Sequence, residues 1–199
     1  MLKANIFPIR DCTVIILAGG KSRRMSSDKK YLKIEGSFLI DRVISNVSEL
    51  FVNIMISTSE EINSKYKTIK IIHDTFLNRG PLAGILSGLE NSPSEKNFII
   101  AADIPEISRE LISEMYQFTE KYEIVIPRSG SMKPEPLFGF YKKSIIPYLE
   151  ENLSKGNNKI LDIYKYTTLK TLDMKRSDWF FNLNTESDLS GYLTYLKRK

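Results

Sequence analysis

Short runs of apolar residues alternate along the chain with longer stretches in which apolar positions recur every three or four residues. The runs at 14–17 (VIIL), 51–57 (FVNIMIS) and 98–103 (FIIAAD) contain few polar residues. Apolar runs of this length, four to eight residues, are typical of strands buried on both faces of a parallel sheet. Weaker runs predict further strands at 69–74, 123–127, 135–141 and 168–173.

The intervening stretches have the spacing of amphipathic helices. A helix is predicted over 39–50, where Leu39, Val43 and Val47 fall on one face. Gly80-Pro81 begins a second helix, and Ser108 is the predicted N-cap of a third over 108–122. Two more are predicted over 144–153 and near 186–197.

This alternation predicts a single α/β domain over residues 1–199, with a mostly parallel sheet between two helical layers. Residues 1–12 have no clear place in the pattern and are predicted to be a flexible N-terminal extension. Ligands of open parallel sheets bind beyond the carboxyl ends of the strands. Candidate site residues are therefore sought directly after each predicted strand.

The first strand ends in Leu17-Ala18-Gly19-Gly20, and six cations follow between residues 21 and 33. Glycines let backbone N–H groups approach a ligand, and cations such as Lys21, Arg23, Arg24 and Lys29 would complete a polyphosphate cradle. The spacing matches neither a Walker A loop nor G-x-G-x-x-G. A solvated basic loop after a tight turn is the alternative interpretation.

Two aspartates follow predicted strands in the same way. Asp103 comes after FIIAA and could hold Mg²⁺ against phosphate oxygens, or it could cap a turn. Asp74 could accept hydrogen bonds from a base or a sugar, or it could cap a loop.

Two glycine- and asparagine-containing segments are weaker candidates. Gly80 and Gly84 flank a helix start that could face an anion, although small residues also serve close helix–sheet packing. Asn182 and Asn184 lie on one side of an extended segment, where paired amides could bind a heterocycle. Asn184 or Thr185 could equally be the N-cap of the last helix.

Composition narrows the function classes further. The net charge of +5 favours an anionic partner without choosing among nucleic acid, a phosphorylated molecule or a membrane surface. One histidine, His73, and one cysteine, Cys12, nearly exclude catalytic triads and zinc sites. The lone cysteine and the lack of a signal peptide or membrane-spanning stretch favour a cytoplasmic protein.

Five blocks together resemble one family. In chain order they are LAGGKSRRMSSDK, GPLAGILSGL, AADIP, EPLFGFY and FNLNTESDL, between about Val14 and Leu189. They resemble the sequence signatures of the molybdenum cofactor guanylyltransferases, the MobA-like nucleotidyltransferases. The resemblance implies a Rossmann-like sheet with one antiparallel strand, of the nucleotide-diphospho-sugar transferase type.

The resemblance also implies an activity, which is transfer of GMP from GTP to the terminal phosphate of molybdopterin with Mg²⁺ as cofactor. It assigns catalysis to Asp103, Lys29 and Arg24, the metal to Asp103, and the pterin substrate to Asn182 and Asn184. The implied nucleotide-binding residues are Leu17, Ala18, Gly19, Gly20, Arg23, Lys29, Ser57, Asp74, Gly80, Gly84 and Asp103. Molybdenum-insertion proteins and apoenzyme chaperones are the implied protein partners, and nucleic acid and membrane are not expected.

Some positions depart from the family pattern. Ser26-Ser27 replace the usual glycine, Ser57 stands where asparagine is frequent, and Glu135 introduces an acid on the second-substrate side. The alternatives are a molybdopterin cytidylyltransferase, a sugar-phosphate nucleotidyltransferase, or a non-catalytic nucleotide- or nucleic-acid-binding protein. The cations lie in one glycine loop and not along a helix or aromatic sheet face, which disfavours nucleic acid.

Overall fold

The structure of the protein is a computed structural model that describes residues 6–19, 32–59, 68–74, 79–130 and 132–199. Within these ranges the strands are β1 (Ile9–Leu17), β2 (Lys33–Ile34), β3 (Ser37–Phe38), β4 (Phe51–Thr58), β5 (Lys70–His73), β6 (Lys96–Ala101), β7 (Ile124–Arg128), β8 (Phe138–Lys142) and β9 (Leu169–Asp173). The α-helices are α1 (Leu39–Ser48), α2 (Pro81–Asn91), α3 (Arg109–Tyr116), α4 (Ile146–Ser154) and α5 (Glu186–Leu196). Short 3₁₀ helices cover Lys143–Ile145 and Ile160–Tyr166.

Seven strands form one sheet in the order β5-β4-β1-β6-β8-β7-β9. Strand β8 runs antiparallel to both of its neighbours, and the other pairs in this sheet are parallel. The carboxyl ends of β1, β4, β5, β6, β7 and β9 therefore lie along one edge, which we call the carboxyl edge. The mostly parallel sheet with one antiparallel strand is confirmed.

Alternate residues of the central strands face two separate apolar cores. Val14, Ile16 and Phe98 lie in one core, which the buried residues of α1 and α3 complete. Ile15 and Ile99 lie in the other core, with the buried residues of α2 and α4. Because side chains alternate across a strand, the uninterrupted apolar runs supply both faces and give the three-layer α/β/α arrangement.

The N-terminal strand corrects one prediction. Residues 9–12 were predicted within a flexible extension, but they form the start of β1, with Ile9 and Cys12 buried. The Ile9 N–H donates to the Leu50 carbonyl at 2.8 Å, and Cys12 pairs with Lys96 of β6. A register shift between Ile9 and Thr13 leaves Arg10 and Asp11 exposed, and these polar residues interrupt the apolar pattern. Residues 1–5 lie outside the described part.

Other boundaries differ by a few residues. Helix α3 ends at Tyr116, short of the predicted Tyr122, and the residues that follow form turns. The β2–β3 hairpin and the 3₁₀ helix Ile160–Tyr166 were not predicted, because each is too short to display a period. None of the helices in the ranges described is long and apolar enough to cross a membrane.

Candidate functional site

The end of β1 is bonded to the strands on both of its sides. The Ala18 N–H donates to the Ser57 carbonyl of β4 at 2.8 Å, and the Leu17 carbonyl accepts from the Ala102 N–H at 3.0 Å. Gly19 follows immediately, and a Cβ there would lie 3.1 Å from Asp74 Oδ2. Contacts at that distance are tighter than most real Cβ contacts, so glycine keeps this backbone close to Asp74.

Ser57, Asp74 and Gly84 form one compact group beside this turn. The Ser57 hydroxyl donates to Asp74 Oδ1 at 2.5 Å and lies 3.1 Å from the Gly84 carbonyl oxygen. A Cβ on Gly84 would lie 3.2 Å from both Leu17 Cδ2 and Ser57 Oγ. Burial raises the pKa of the half-buried Asp74 carboxyl, and the bond from Ser57 partly offsets this shift. Predicted nucleotide residues from four elements therefore lie together.

The structural reason for a glycine at position 80 differs from the reason at position 84. It is the N-cap of α2 with a φ of 67°, a conformation that favours glycine, and nothing within 4 Å would obstruct a Cβ. Pro81 then starts the helix, and within the described ranges no side-chain cap is recorded for its first N–H groups. The conformation of Gly80 thus sets how α2 begins, whereas the close packing of Gly84 holds α2 against β1 and β4.

Asp103 lies farther along the carboxyl edge, just beyond β6. Its carbonyl oxygen accepts from the Leu183 N–H at 3.0 Å, which places the segment between Asn182 and Asn184 beside it. Leu183 is buried, and the Asn184 side-chain amide donates to Asn182 Oδ1, so both amides lie on the side opposite Leu183. The β5–β4–β1–β6 order separates Asp74 from Asp103 by three strand spacings, about 14 Å.

The N-cap of α5 is Thr185, one of the two alternatives named from the sequence. Its hydroxyl accepts from the Asp188 N–H at 3.2 Å, while Asp188 Oδ2 accepts from the Thr185 N–H at 2.7 Å. This capping box fixes the chain directly after Asn184. Asn182 and Asn184 therefore project from a segment that is bonded at both ends.

Glu135 lies in the loop before β8 and is half-buried. Burial raises the pKa of its carboxyl, and a hydrogen bond from Ser129 partly offsets the shift. Two residues later the Leu137 carbonyl accepts from the Ala101 N–H at 3.0 Å, next to the turn that carries Asp103. The acid noted in the sequence is thus attached to the same edge.

A candidate magnesium site has few protein ligands. In the part of the chain that the structure describes, no group of three or more histidine, cysteine, aspartate or glutamate side chains could hold a metal. The single carboxylate of Asp103 is a donor that suits Mg²⁺, which binds through one or two carboxylates while phosphate oxygens and water complete its octahedron. The Cys12 thiol is buried in the core, where burial raises its pKa, so it is no ligand candidate.

Several predicted site residues lie outside the described residues. They are Gly20, Lys21, Arg23, Arg24, Ser26, Ser27 and Lys29. The phosphate-cradle role that the sequence assigns to them stays a prediction. Of the remaining predicted residues, the structure brings Leu17, Ala18, Gly19, Ser57, Asp74 and Gly84 into one group, and Asp103, Asn182 and Asn184 into a second.

Glu106, which follows Asp103 by three residues, was not among the residues predicted from the sequence. A glutamate in a loop is usually solvated, yet this one is only 6% exposed. Its partners come from α1, α5 and Lys199, which are distant in sequence. Only the tertiary structure could reveal that combination.

A separate cleft of about 530 Å³ lies between α3 and the residues after β9. Trp179, Tyr195, Glu110 and Asp173 are among its lining residues. No predicted site residue is among those that line it, so it is distinct from the groups described above.

Comparisons with known proteins agree with this geometry. Residues 14–171 match the family model described as the MobA-like NTP transferase domain. A protein of Natranaerobius thermophilus named probable molybdenum cofactor guanylyltransferase is 37% identical over 198 residues, covering 92% of this chain and 96% of its own. A molybdenum cofactor guanylyltransferase of Vibrio atlanticus is 32% identical, covering 90% and 94%.

A solved structure has the same fold. The molybdopterin-guanine dinucleotide biosynthesis protein A of Archaeoglobus fulgidus superposes with a TM-score of 0.82 at 24% identity, covering 94% of this chain and all of that one. The family, inferred above from five short blocks, is confirmed together with the nucleotide-diphospho-sugar transferase type of fold.

Proposed function

Because the chain belongs to the MobA-like NTP transferase family, we propose that it transfers GMP from GTP to the terminal phosphate of molybdopterin. The products are molybdopterin guanine dinucleotide and pyrophosphate. One observation carries the proposal: Gly19, Ser57 and Asp74 meet at the carboxyl edge, a few strands from Asp103, in a chain 37% identical to a probable guanylyltransferase.

The reaction joins two anions. A phosphate oxygen of molybdopterin attacks the α-phosphorus of GTP, a new P–O bond forms, and the bond from the α-phosphorus to the bridging oxygen of the β-phosphate breaks. The attacking monoester is mostly dianionic at neutral pH because its second pKa is about 6, so no general base is required. Positioning and charge stabilisation account for catalysis of this kind.

The first group of residues is assigned to GTP. The backbone of Leu17, Ala18 and Gly19 would contact the guanosine end, with Ser57 and Asp74 beside it. Asp74 is a suitable acceptor for base or sugar donors, because Ser57 occupies one of its oxygens and leaves the other directed at the Gly19 turn. Gly80 and Gly84 would form the floor of this part of the site.

Asp103 is assigned to the metal. We propose that its carboxylate holds Mg²⁺, which when bound would neutralise charge on the triphosphate and the leaving pyrophosphate. Gly20, Arg23, Arg24 and Lys29 are assigned to the triphosphate, and these residues lie outside the described part of the chain. Their cationic character and the glycine turn before them support this role.

The pterin is assigned to the second group. Asn182 and Asn184 each offer an amide donor and acceptor, which suits the heteroatoms of a pterin ring. Their position beside Asp103 would bring the pterin's phosphate near the metal. We also propose that the enzyme is cytoplasmic, since a single free, buried cysteine suits a reducing compartment. Its proposed protein partners are molybdenum-insertion proteins and apoenzyme chaperones.

The test is pyrophosphate release by the pure protein with molybdopterin, Mg²⁺ and one of GTP, CTP, ATP or UTP. We expect release with GTP alone, dependent on both the pterin and Mg²⁺. A preference for CTP would identify a cytidylyltransferase instead. No release with any nucleotide, from protein that is folded by circular dichroism, would contradict the proposal.

A further inference from the structure

A buried carboxylate with several bonding partners follows the proposed metal ligand. Glu106 Oε1 accepts from the Tyr192 hydroxyl at 2.6 Å and lies 3.4 Å from the Arg42 guanidinium, while Oε2 accepts from the Lys199 ammonium at 3.0 Å. The Arg42 guanidinium also lies over the Tyr192 ring, 5.6 Å from its centroid. We call Arg42, Glu106, Tyr192 and Lys199 the carboxyl-edge cluster.

The carboxyl-edge cluster anchors the turn that carries Asp103. The Ile104 N–H donates to the Ala101 carbonyl at 3.1 Å, and Ile104 is buried in the core. The Asn46 amide of α1 donates to the Pro105 carbonyl at 2.7 Å. The turn from Ala101 to Glu106 is therefore short, bonded internally and held by α1, so a shift at Glu106 would be transmitted to Asp103.

The same cluster also reaches the proposed pterin segment. The rings of Tyr192 and Phe181 pack with centroids 5.2 Å apart, and Tyr192 shares an apolar cluster with Leu183. The Leu183 N–H in turn donates to the Asp103 carbonyl. Asp103, Glu106, Tyr192 and Leu183 therefore close a ring of contacts that includes both the metal side and the pterin side.

Stability alone is a weak reason for an acid at this position. Taking a carboxylate out of water is costly, and well-packed apolar residues often replace buried ion pairs with equal or greater stability. Burial first, and then the bond to Glu106, raise the pKa of the Tyr192 phenol, so it remains a donor at any physiological pH. What this arrangement supplies is a fixed geometry between two segments.

We propose that Glu106 is a positioning residue, whose bond to Tyr192 fixes the turn bearing Asp103 relative to the segment bearing Asn182 and Asn184. This inference rests on the proposed function. The bond between Glu106 and Tyr192 would thereby hold the carboxylate of Asp103 at the place where magnesium and the triphosphate meet the pterin phosphate. Glu106 touches neither substrate in this role.

The chain offers a matched control at the other end of the sheet. The Tyr116 hydroxyl donates to Asp11 Oδ1 at 2.6 Å, and the Lys96 ammonium lies 2.7 Å from Asp11 Oδ2 and 5.2 Å from the Tyr116 ring centroid. Lys96 begins β6, whose other end leads to Asp103. Tyr116→Phe therefore removes the same kind of hydrogen bond without disturbing the turn of Asp103.

The experiment measures GTP binding by calorimetry, with and without Mg²⁺, in the wild type, Glu106→Leu, Tyr192→Phe and Tyr116→Phe. Leucine removes the acceptor of the Tyr192 hydroxyl, which glutamine would keep. We expect Mg²⁺ to strengthen GTP binding in the wild type. Glu106→Leu and Tyr192→Phe should each lower that magnesium-dependent gain about tenfold, as changes behind a metal ligand commonly do, and leave magnesium-free affinity unchanged. Tyr116→Phe should keep the whole gain.

The double variant separates positioning from general loss of stability. Because Glu106 and Tyr192 act through one bond, Glu106→Leu with Tyr192→Phe should lower the gain no further than either change alone. If Glu106→Leu and Tyr192→Phe both keep the magnesium-dependent gain of the wild type, the positioning role of Glu106 is overturned and the proposed function is not affected. A wild type with no magnesium-dependent gain would contradict the proposed function, and the inference with it.

Discussion

The two tyrosine–carboxylate clusters at opposite ends of β6 are built from the same chemical parts. In each, a tyrosine hydroxyl donates to a carboxylate at 2.6 Å and a cation that bonds the same carboxylate lies over the tyrosine ring. Their exposure differs greatly: the Glu106 side chain is 8% exposed and the Asp11 side chain is 54% exposed. Asp11, Lys96 and Tyr116 form the cluster at the amino end of β6, where the Lys96 ammonium also pairs with Glu120 at 2.7 Å.

Exposure changes what such a cluster can contribute. Around Asp11, water competes with Lys96 and Tyr116 for the exposed carboxylate, so its bonds are weaker and more easily replaced. Around Glu106, burial largely excludes water, so the same bonds fix the positions of the segments that carry them. The carboxyl edge, where strands end and ligands bind in this class of sheet, is also where the buried cluster lies.

The largest expected effect comes from a change at the carboxyl edge itself. Asp103→Asn keeps the size of the side chain and removes its charge, so we expect kcat for pyrophosphate release to fall about 10²–10³-fold. Asp173→Asn is the control, since Asp173 ends β9 at the same edge but pairs with Arg128 at 2.9 Å. Equal losses of kcat in both variants would contradict the assignment of Asp103 as the metal ligand.

Truncation of the two carboxylates tests the difference in burial. Glu106→Ala leaves the Tyr192 hydroxyl facing a cavity without its acceptor, and we expect the free energy of unfolding to fall by about 1–3 kcal/mol. Asp11→Ala should cost less than about 1 kcal/mol, because the Asp11 carboxylate is more than half exposed to water. Urea unfolding at neutral pH gives both values. Similar losses would show that burial does not distinguish the clusters.

Two glycines of α2 extend the comparison between site and core. A Cβ on Gly88 would lie 2.6 Å from Ile15 Cγ2, so Gly88→Ala should lower the free energy of unfolding by about 1–3 kcal/mol through overpacking. Gly84→Ala would instead press on Leu17 and Ser57 at 3.2 Å. We expect it to raise the KM for GTP about tenfold, or about 1.4 kcal/mol, more than Gly88→Ala does. Urea unfolding measures the loss of stability in Gly88→Ala, and steady-state kinetics on monodisperse protein measure the KM for GTP of both variants.

The smallest expected effects concern the dependence of stability on pH, for which Asp74 and Asp11 should behave oppositely. The pKa of Asp74 is raised by burial, so its contribution to stability is present below its unfolded pKa and is lost as pH rises through the folded pKa. Asp74→Asn should therefore leave the unliganded protein equally or slightly more stable at pH 7, while it weakens GTP binding. A clear loss of stability at pH 7 would contradict this.

The pKa of Asp11 is lowered, since bonds from Lys96 and Tyr116 outweigh the effect of its partial burial. Its contribution is present above the unfolded pKa and is lost as pH falls through the folded pKa. Asp11→Asn should therefore be less stable than the wild type at pH 7 and approach it below about pH 4. Thermal unfolding between pH 3 and 8 measures both aspartate variants.

The long apolar strands and the amphipathic helices could be predicted, because each displays its period over enough residues. The β1 extension to Ile9 could not, since the register shift exposes Arg10 and Asp11 in the middle of the strand. Candidate residues such as Ser57, Asp74 and Asp103 could be found because parallel strands deliver their ends to one edge. Glu106 could not, because its burial depends on α1 and α5, which are distant in sequence.

The most direct test of GMP transfer, the central claim, follows a labelled phosphate of GTP into the products. The protein is incubated with molybdopterin, Mg²⁺ and GTP labelled at either the α- or the γ-phosphate, and the pterin product is isolated and weighed by mass spectrometry. Attack at the α-phosphorus predicts a pterin dinucleotide that carries the α-label, with all γ-label in pyrophosphate. Label from the γ-phosphate on the pterin, or an unmodified pterin, would contradict GMP transfer at this site.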